Sequence, residues 1–241
     1  MQLVFQSDVF PEDEEALSSF DLVACRATVD GPVFSKELTG PFLFRGSIAV
    51  GRRITKTMPN AITWLYDKVY DCTNYLPSLG TKALNNPHIL CEAGTLPILI
   101  EKIGTNFFLK ENSGYKYFTG GEYADIKDYL QYCFYNDILL LSPIRSIVAE
   151  WRFVISDMAI LTSSPYGDTL REATRGATSL VEEVLVDFIE PAPMWTIDVC
   201  ELASGEFKIV EINSLLTAGW YDCDRTKIVA DLKRIAGVAS V

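Results

Sequence analysis

The 241-residue chain contains a single histidine, His88. Acyl-transfer triads that turn on an imidazole, and zinc sites built from several of them, are thereby excluded as the basis of its chemistry. His88 stands beside Pro87 in a turn, a structural position rather than a catalytic one. The six cysteines, Cys25, Cys72, Cys91, Cys133, Cys200 and Cys223, form no C-x-x-C pair. Their scatter suits reduced, mostly buried thiols of a cytoplasmic protein, not a disulfide scaffold or a zinc site. Basic side chains are scarce, 21 against 32 acidic ones, for a net charge of −11. A broad surface for nucleic-acid backbones is excluded, because phosphate neutralisation needs an excess of Lys and Arg. The longest apolar stretch, Ile138 to Leu161, is broken by Arg145, Glu150 and Arg152, so no membrane-spanning helix is expected. Met1 to Phe20 carries no Lys or Arg and does not suit a secretory signal. Internal repeats, the G-x-G-x-x-G fingerprint and the Walker A sequence are all missing, which removes the ordinary dinucleotide and P-loop readings.

What is present is a chain able to bury a core: 49% apolar and 12% aromatic residues rule out intrinsic disorder. The pattern predicts strands at Leu3 to Phe5, Pro41 to Arg45, Asn106 to Lys110 and Asp137 to Leu141. A helix start is predicted at Pro11, with acids against the dipole. A strand pair is predicted over Ala149 to Thr162, and a hairpin from Trp195 to Leu202 and Phe207 to Ile212 around Ser204-Gly205. Helical spacing marks Tyr123 to Phe134, Thr169 to Phe188 and Arg225 to Ala236. Turn signals at Asn85-Asn86-Pro87 and Ala93 to Pro97 suggest a boundary. The expectation is an α+β chain in three lobes: 1–88, 89–141 and 142–241.

Two segments carry the chemistry. In the hairpin, Asp198 lies on one strand and Glu211 with Asn213 on the next. Glu211 and Asn213 are two apart, so they share a sheet face, with Val210 and Ile212 on the other. Two carboxylates and an amide on one face suit Mg²⁺, which fills its octahedron with substrate phosphates; a solvated polar edge of an amphipathic hairpin is the alternative. Upstream, Phe107-Phe108-Leu109 ends on Lys110, followed by a loop with Lys116, Gly120 and Gly121. A lysine at a strand end facing such a loop can hold nucleotide phosphates, or it can be a surface lysine. Arg45, beside Gly46 after an apolar strand, suits either a bidentate carboxylate site or a salt bridge.

Taken in order, the lysine strand, the glycine loop, Glu150-Trp151-Arg152, then Asp198 and Glu211-x-Asn213 resemble the ATP-grasp superfamily over at least Asn106 to Asp224. The run Lys110…Lys116-Tyr117-Phe118-Thr119-Gly120 and Ala149 to Phe153 are similar to its arginine-plus-two-lysine clade, common in phages and bacteria. The resemblance implies a fold of a small α/β N-terminal domain followed by two α+β lobes with ATP between them. It implies Lys110 on the α/β-phosphates, and Lys116 with its loop closing over the γ-phosphate. Leu141, Ser142 and Ile144 would belong to the hinge that meets adenine, Glu150 would approach the ribose, and Arg152 would stabilise the transferred phosphoryl group. Asp198, Glu211 and Asn213 would hold Mg²⁺. The hinge reads Leu-Ser-Pro where many members carry a Glu, which leaves the nucleobase open. Lys82 is a candidate for the usual first lysine. Arg45 and Trp220 would meet substrate, and Tyr115 and Tyr117 would either cover the nucleotide or serve in packing.

The implied activity is ATP-dependent ligation of a small-molecule or peptide carboxylate to an amine through an acyl phosphate, giving ADP and phosphate. A kinase acting on a hydroxyl and a nucleotide-binding partner protein without turnover are the alternatives. Phosphoryl transfer asks for positioning and charge neutralisation more than for a tuned base, so the lack of histidine is no obstacle.

Overall fold

The structure, a computed structural model, describes residues 1–65, 69–112 and 118–238. In chain order the elements are β1 (Gln2–Phe5), α1 (Glu14–Leu17), β2 (Asp21–Thr28), β3 (Gly31–Phe34), β4 (Phe42–Arg45), α2 (Ile48–Thr57), β5 (Ala61–Ile62) and α3 (Cys72–Leu79). Then come β6 (Ile89–Glu92), α4 (Leu96–Ile103), β7 (Phe108–Glu111), β8 (Gly121–Glu122), α5 (Tyr123–Ile126) and β9 (Ile138–Ser142). The last group is β10 (Ile147–Ser156), β11 (Ala159–Pro165), α6 (Arg175–Asp187), β12 (Met194–Leu202), β13 (Phe207–Ser214) and α7 (Arg225–Val238).

These strands form three sheets. The first, in the order β3-β2-β1-β4-β5, is parallel from β2 to β5, with β3 folded back antiparallel. Its strands β1 and β4 are buried at every position, as expected for a sheet covered on both faces. The second sheet, β6-β9-β7-β8, and the third, β11-β10-β12-β13, are antiparallel. On one face of the third sheet, Trp151, Phe153, Ile155, Ile197 and Val199 pack with Ala177, Val181 and Val184 of α6. The other face carries Glu150, Arg152, Asp198 and Glu211 over part of its length, and Val154 beyond them packs against the first sheet's core.

Several expectations shift in detail. The helix predicted from Thr169 begins at Arg175, because the Thr174 hydroxyl accepts a hydrogen bond from the Ala177 amide and caps it there. The Ala93 to Pro97 turn signal is instead the entry to α4, with Pro97 in its first turn, where a missing N–H costs nothing. The continuous helix expected over Tyr123 to Phe134 is one α turn followed by a 3-10 stretch, Lys127–Tyr132. Residues 70–84, assigned by sequence to the first lobe, pack under the third sheet: Tyr75, Leu76 and Leu79 sit among Trp151, Ile197 and Ile209. The first and third lobes also share a core, in which Leu3, Phe5, Leu43 and Trp64 meet Met194, Leu215, Trp220 and Leu232. Among the described residues no helix is long and apolar enough to cross a membrane.

Candidate active site

A cavity of about 360 Å³ opens between the second and third sheets. Lys110, Glu111 and Asn112 line it from the end of β7, and Phe118, Thr119 and Gly120 from the segment leading into β8. Glu150 and Tyr166 line it from the third sheet and the segment after β11, Glu211 and Asn213 from β13, and Tyr70, Cys72 and Tyr75 from in and around α3. The register explains the third-sheet contribution. Arg152 faces Asp198 across β10 and β12, and Asp198 faces Glu211 across β12 and β13, so all three fall on the face that carries Glu150 and Asn213.

Within the cavity, Lys110 Nζ stands 3.4 Å from Glu211 Oε2, a cation from the second sheet meeting a carboxylate from the third. Asn213 Nδ2 donates to Glu211 Oε1 at 2.9 Å. Burial works against the Lys110 ammonium, but Cys72 and Glu211 beside it more than compensate and raise its affinity for the proton. Burial also pushes the Glu150 carboxyl up to about 7, helped by the negative charges of Asp198 and Glu211 and opposed by Arg152 and Lys110. Gly120 lies directly on the lysine strand: a Cβ there would come within 2.9 Å of the Lys110 Cβ and 2.8 Å of the Phe108 ring. Only glycine lets the chain approach this closely.

Asp198 and Arg152 lie beneath this layer and do not line the cavity. Arg152 Nε and Nη2 donate to the two Asp198 oxygens at 2.7 and 2.6 Å, and Nη1 donates to the Gly219 carbonyl at 2.8 Å. Both side chains are almost wholly buried. Burial disfavours the guanidinium charge, yet Asp198 outweighs it and drives the Arg152 pKa upward. Tyr166 and Tyr221 flank the guanidinium, with ring centres 5.2 and 4.9 Å away. Sequence reasoning expected Asp198 beside Glu211 and Asn213 as a metal ligand and Arg152 on the transferred group. Here each neutralises the other, because two charges taken out of water hold best as a bidentate pair.

Other predicted residues fall as follows. Leu141 is core, and the hydroxyl of Ser142 is tied to the Asn85 side chain at 3.0 Å. Ile144 lines a second cavity of about 240 Å³ that shares Leu84, Asn85, Phe108 and Ile147 with the first. Lys82 turns outward to Glu183, 2.9 Å away. Lys116, Tyr115 and Tyr117 lie outside the described residues. Val210, expected on the face away from the site, packs with Leu84, Cys200 and Leu202, because the ladder slips between Asp198 and Val199 and leaves it in a bulge.

Arg45 and Trp220, expected at the substrate, are both wholly buried. Arg45 does bind a carboxylate, but it is the protein's own Asp13, at 2.5 and 3.2 Å. Trp220 stacks over that guanidinium, 4.3 Å away, and donates Nε1–H to the Leu215 carbonyl. Cys72, Tyr75 and Asn112 were missed by sequence reasoning. They lie in a Tyr-rich segment of mixed period and just past the lysine strand, and are joined only in the fold: Asn112 accepts from the Thr73 amide at 2.8 Å, and Cys72 Sγ lies 3.3 Å from the Tyr75 hydroxyl.

Residues 89–230 match the model of an ATP-grasp domain family, the second family of the clade named for one arginine and two lysines. Comparison with curated proteins gives no match. Among solved structures, the chain is similar to a RimK domain ATP-grasp protein from Sphaerobacter thermophilus, at 13% identity and TM-score 0.62, covering 96% of this chain and 98% of that one. It is similar to the D-cycloserine synthetase DcsG at 14% identity and TM-score 0.61, covering 97% and 98%. It is also similar to the D-alanine-D-alanine ligase of Helicobacter pylori at 12% identity and TM-score 0.64, covering 95% and 96%. At these identities the likeness establishes the fold, which is the α+β ATP-grasp fold.

Proposed function

Since the chain belongs to the second family of the arginine-plus-two-lysine clade of ATP-grasp domains, we propose that it is an ATP-dependent ligase joining a carboxylate to an amine in the cavity between its second and third sheets. The observation that carries this reading is the approach of Lys110 to Glu211 across that cavity, with Asn213 and Glu150 in the same lining. The synthetase and ligase names of the similar structures support it.

In this reading Lys110 meets the phosphates of ATP. The Leu141 to Ile144 hinge and the smaller cavity beside it take the base, and Glu150 accepts from the ribose hydroxyls. The donor set fits Mg²⁺: Glu211 and Asn213 stand side by side in the cavity lining, joined by the Asn213 amide, and both carry hard oxygen atoms. Among the described residues no group of three His, Cys, Asp or Glu is placed to hold a metal ion. In this reading Glu211 and Asn213 would hold the cation, with Asp198, which faces Glu211 across β12 and β13, as the third ligand. When bound, Mg²⁺ supplies charge neutralisation along the polyphosphate. The substrate carboxylate takes the γ-phosphoryl group, ADP leaves, and an amine displaces phosphate from the acyl phosphate. Lys110 holds negative charge in a water-poor site, where such an interaction is strongest. Lys116 is assigned to the closing loop, which would keep water from the acyl phosphate. Arg152 acts from beneath, fixing Asp198 and the Gly219 carbonyl.

ADP release in the presence of mixed candidate acids and amines tests this. The wild type releases ADP and phosphate together, and Lys110→Ala and Glu211→Ala abolish it. Full activity in both variants would sink the site assignment. Phosphate retained on a hydroxyl acceptor would identify a kinase instead.

A further inference from the structure

The loop between β13 and α7 is held by two arginines from different sheets. Arg45, at the end of β4, donates from Nη1 to the carbonyls of Leu215 and Ala218 at 3.1 and 2.6 Å. Arg152, on β10, donates to the very next carbonyl, Gly219, at 2.8 Å. The rings divide in the same way: Trp220 lies over Arg45 and Tyr221 over Arg152. Tyr221 has φ of +48°, a conformation a side chain of this size avoids unless its surroundings hold it. Its ring meets Tyr166 edge-on, 4.8 Å between centres, and Tyr166 lines the catalytic cavity.

The outer end of this chain is equally well made. Asp13 takes Arg45 on one oxygen and Arg225, the first residue of α7, on the other at 2.9 Å. The Phe10 ring also lies against the Arg45 guanidinium, at 3.7 Å. The Gly46 amide adds a hydrogen bond to the Leu216 carbonyl at 3.2 Å. An apolar side chain of similar volume could fill this space with no desolvation cost. What it could not do is grip two carbonyls of one loop while anchored to a carboxylate.

We propose that Arg45 is a positioning residue: from the first sheet it sets the loop 215–221 and, through the Gly219 carbonyl and the Tyr221 ring, holds Arg152, Asp198 and the Tyr166 wall of the cavity in register. The consequence for turnover rests on the ligase reading above; the consequence for the loop does not. Arg45 touches none of Lys110, Glu211 or Asn213, so the contacts assigned to the phosphates and the cation stay in place without it.

The test is Arg45→Lys, which keeps the charge beside Asp13 but loses the planar fork. Amide hydrogen exchange should quicken about tenfold or more in residues 215–223 while β12 and β13 keep their protection. The Kd for MgATP, by calorimetry, should stay within about twofold, whereas kcat for ADP release should fall about tenfold or more, as expected for a small displacement of the Tyr166 wall. Arg45→Gln, without the charge, should show the same pattern more strongly. Asp13→Asn, which preserves shape and loosens only the anchor, serves where Arg45 variants fail to fold and should show it more weakly. Unchanged protection in the loop, or exchange that rises uniformly across the protein, would overturn the proposal. So would a loss of MgATP affinity matching the loss of turnover. A wild type that neither binds MgATP nor releases ADP would overturn the ligase reading, and the exchange pattern would still decide the role of Arg45.

Discussion

Glu150 is the residue whose ionisation is most exposed to experiment. Its carboxyl is held up at about 7 by burial first, and then by Asp198 and Glu211, from an ordinary value of 4.5. Between those two values the folded protein binds the proton more tightly than the unfolded chain does. Its contribution to stability is therefore complete below pH 4.5 and lost as pH rises through 7. Glu150→Gln should raise the nucleotide-free protein's stability at pH 8 by ~1–2 kcal/mol, or ~2–6 °C in Tm, with the gain vanishing below about pH 5. Thermal melts of both proteins across that range check the sign. Arg45 is the opposite case, a fully buried charge whose partners are all in place. Burial lowers its pKa to about 10 against the pull of Asp13. Replacing it with Ala leaves buried Asp13 to Arg225 alone and empties a fully buried site, and should cost about 3–5 kcal/mol in urea unfolding. Sequence supplied Arg45's preference for a carboxylate but not which carboxylate, since Asp13 lies 32 residues away and meets it only through the sheet. Glu211 and Asn213 were legible because a two-residue spacing on a strand settles their common face without any knowledge of the fold. Asp198 was legible as their neighbour but not as the partner of Arg152, because that pairing depends on the register between β10 and β12.

At the scale of elements, the hairpin β12–β13 and the lysine strand β7 do most of the placing. Gly120 brings the segment before β8 against that strand: the chain can lie on Lys110 there only because no Cβ intervenes. Gly120→Ala should push Lys110 or Phe108 from its place and weaken MgATP binding about tenfold or more, read by calorimetry, with little change in Tm. A Tm loss with unaltered binding would contradict this. The strands with strict alternation or continuous apolar runs were legible. So was the hairpin with its Ser204-Gly205 turn. Elements whose ends depend on single polar groups were not: the Thr174 hydroxyl sets where α6 begins, and periodicity alone extends the helix past it. Pro97 was legible as punctuation but not as the opening of α4, since proline marks both a break and a first turn. Val210 shows the same limit, because a bulge moves a side chain to the other face and leaves no trace in spacing.

The whole molecule is three sheets whose cores are not three separate units. Leu3, Phe5 and Trp64 complete the core around Trp220 and α7, and α3 completes the core beneath the third sheet. A chain truncated to residues 69–238 leaves that first surface bare and should lose cooperative unfolding in urea, although it keeps every residue of the cavity lining. The order of motifs along the chain was enough to place it in the ATP-grasp superfamily, and the family match over 89–230 and the shared fold agree. The lobe boundaries at 88 and 141 were drawn from turn signals, which mark where the chain bends but not which sheet a helix will cover; α3 lies before the first boundary and packs beyond it. The net charge of −11 is no obstacle to an anionic ligand, because Lys110 is held at the cavity with its charge secured by Cys72 and Glu211 beside it. The most direct test of a nucleotide site between the second and third sheets is calorimetric titration of MgATP into the wild type, Lys110→Ala and Glu211→Gln. Saturable binding at one site is expected in the wild type, lost by about a hundredfold or more in Lys110→Ala and weakened and Mg²⁺-insensitive in Glu211→Gln. Equal affinity in all three proteins would contradict it.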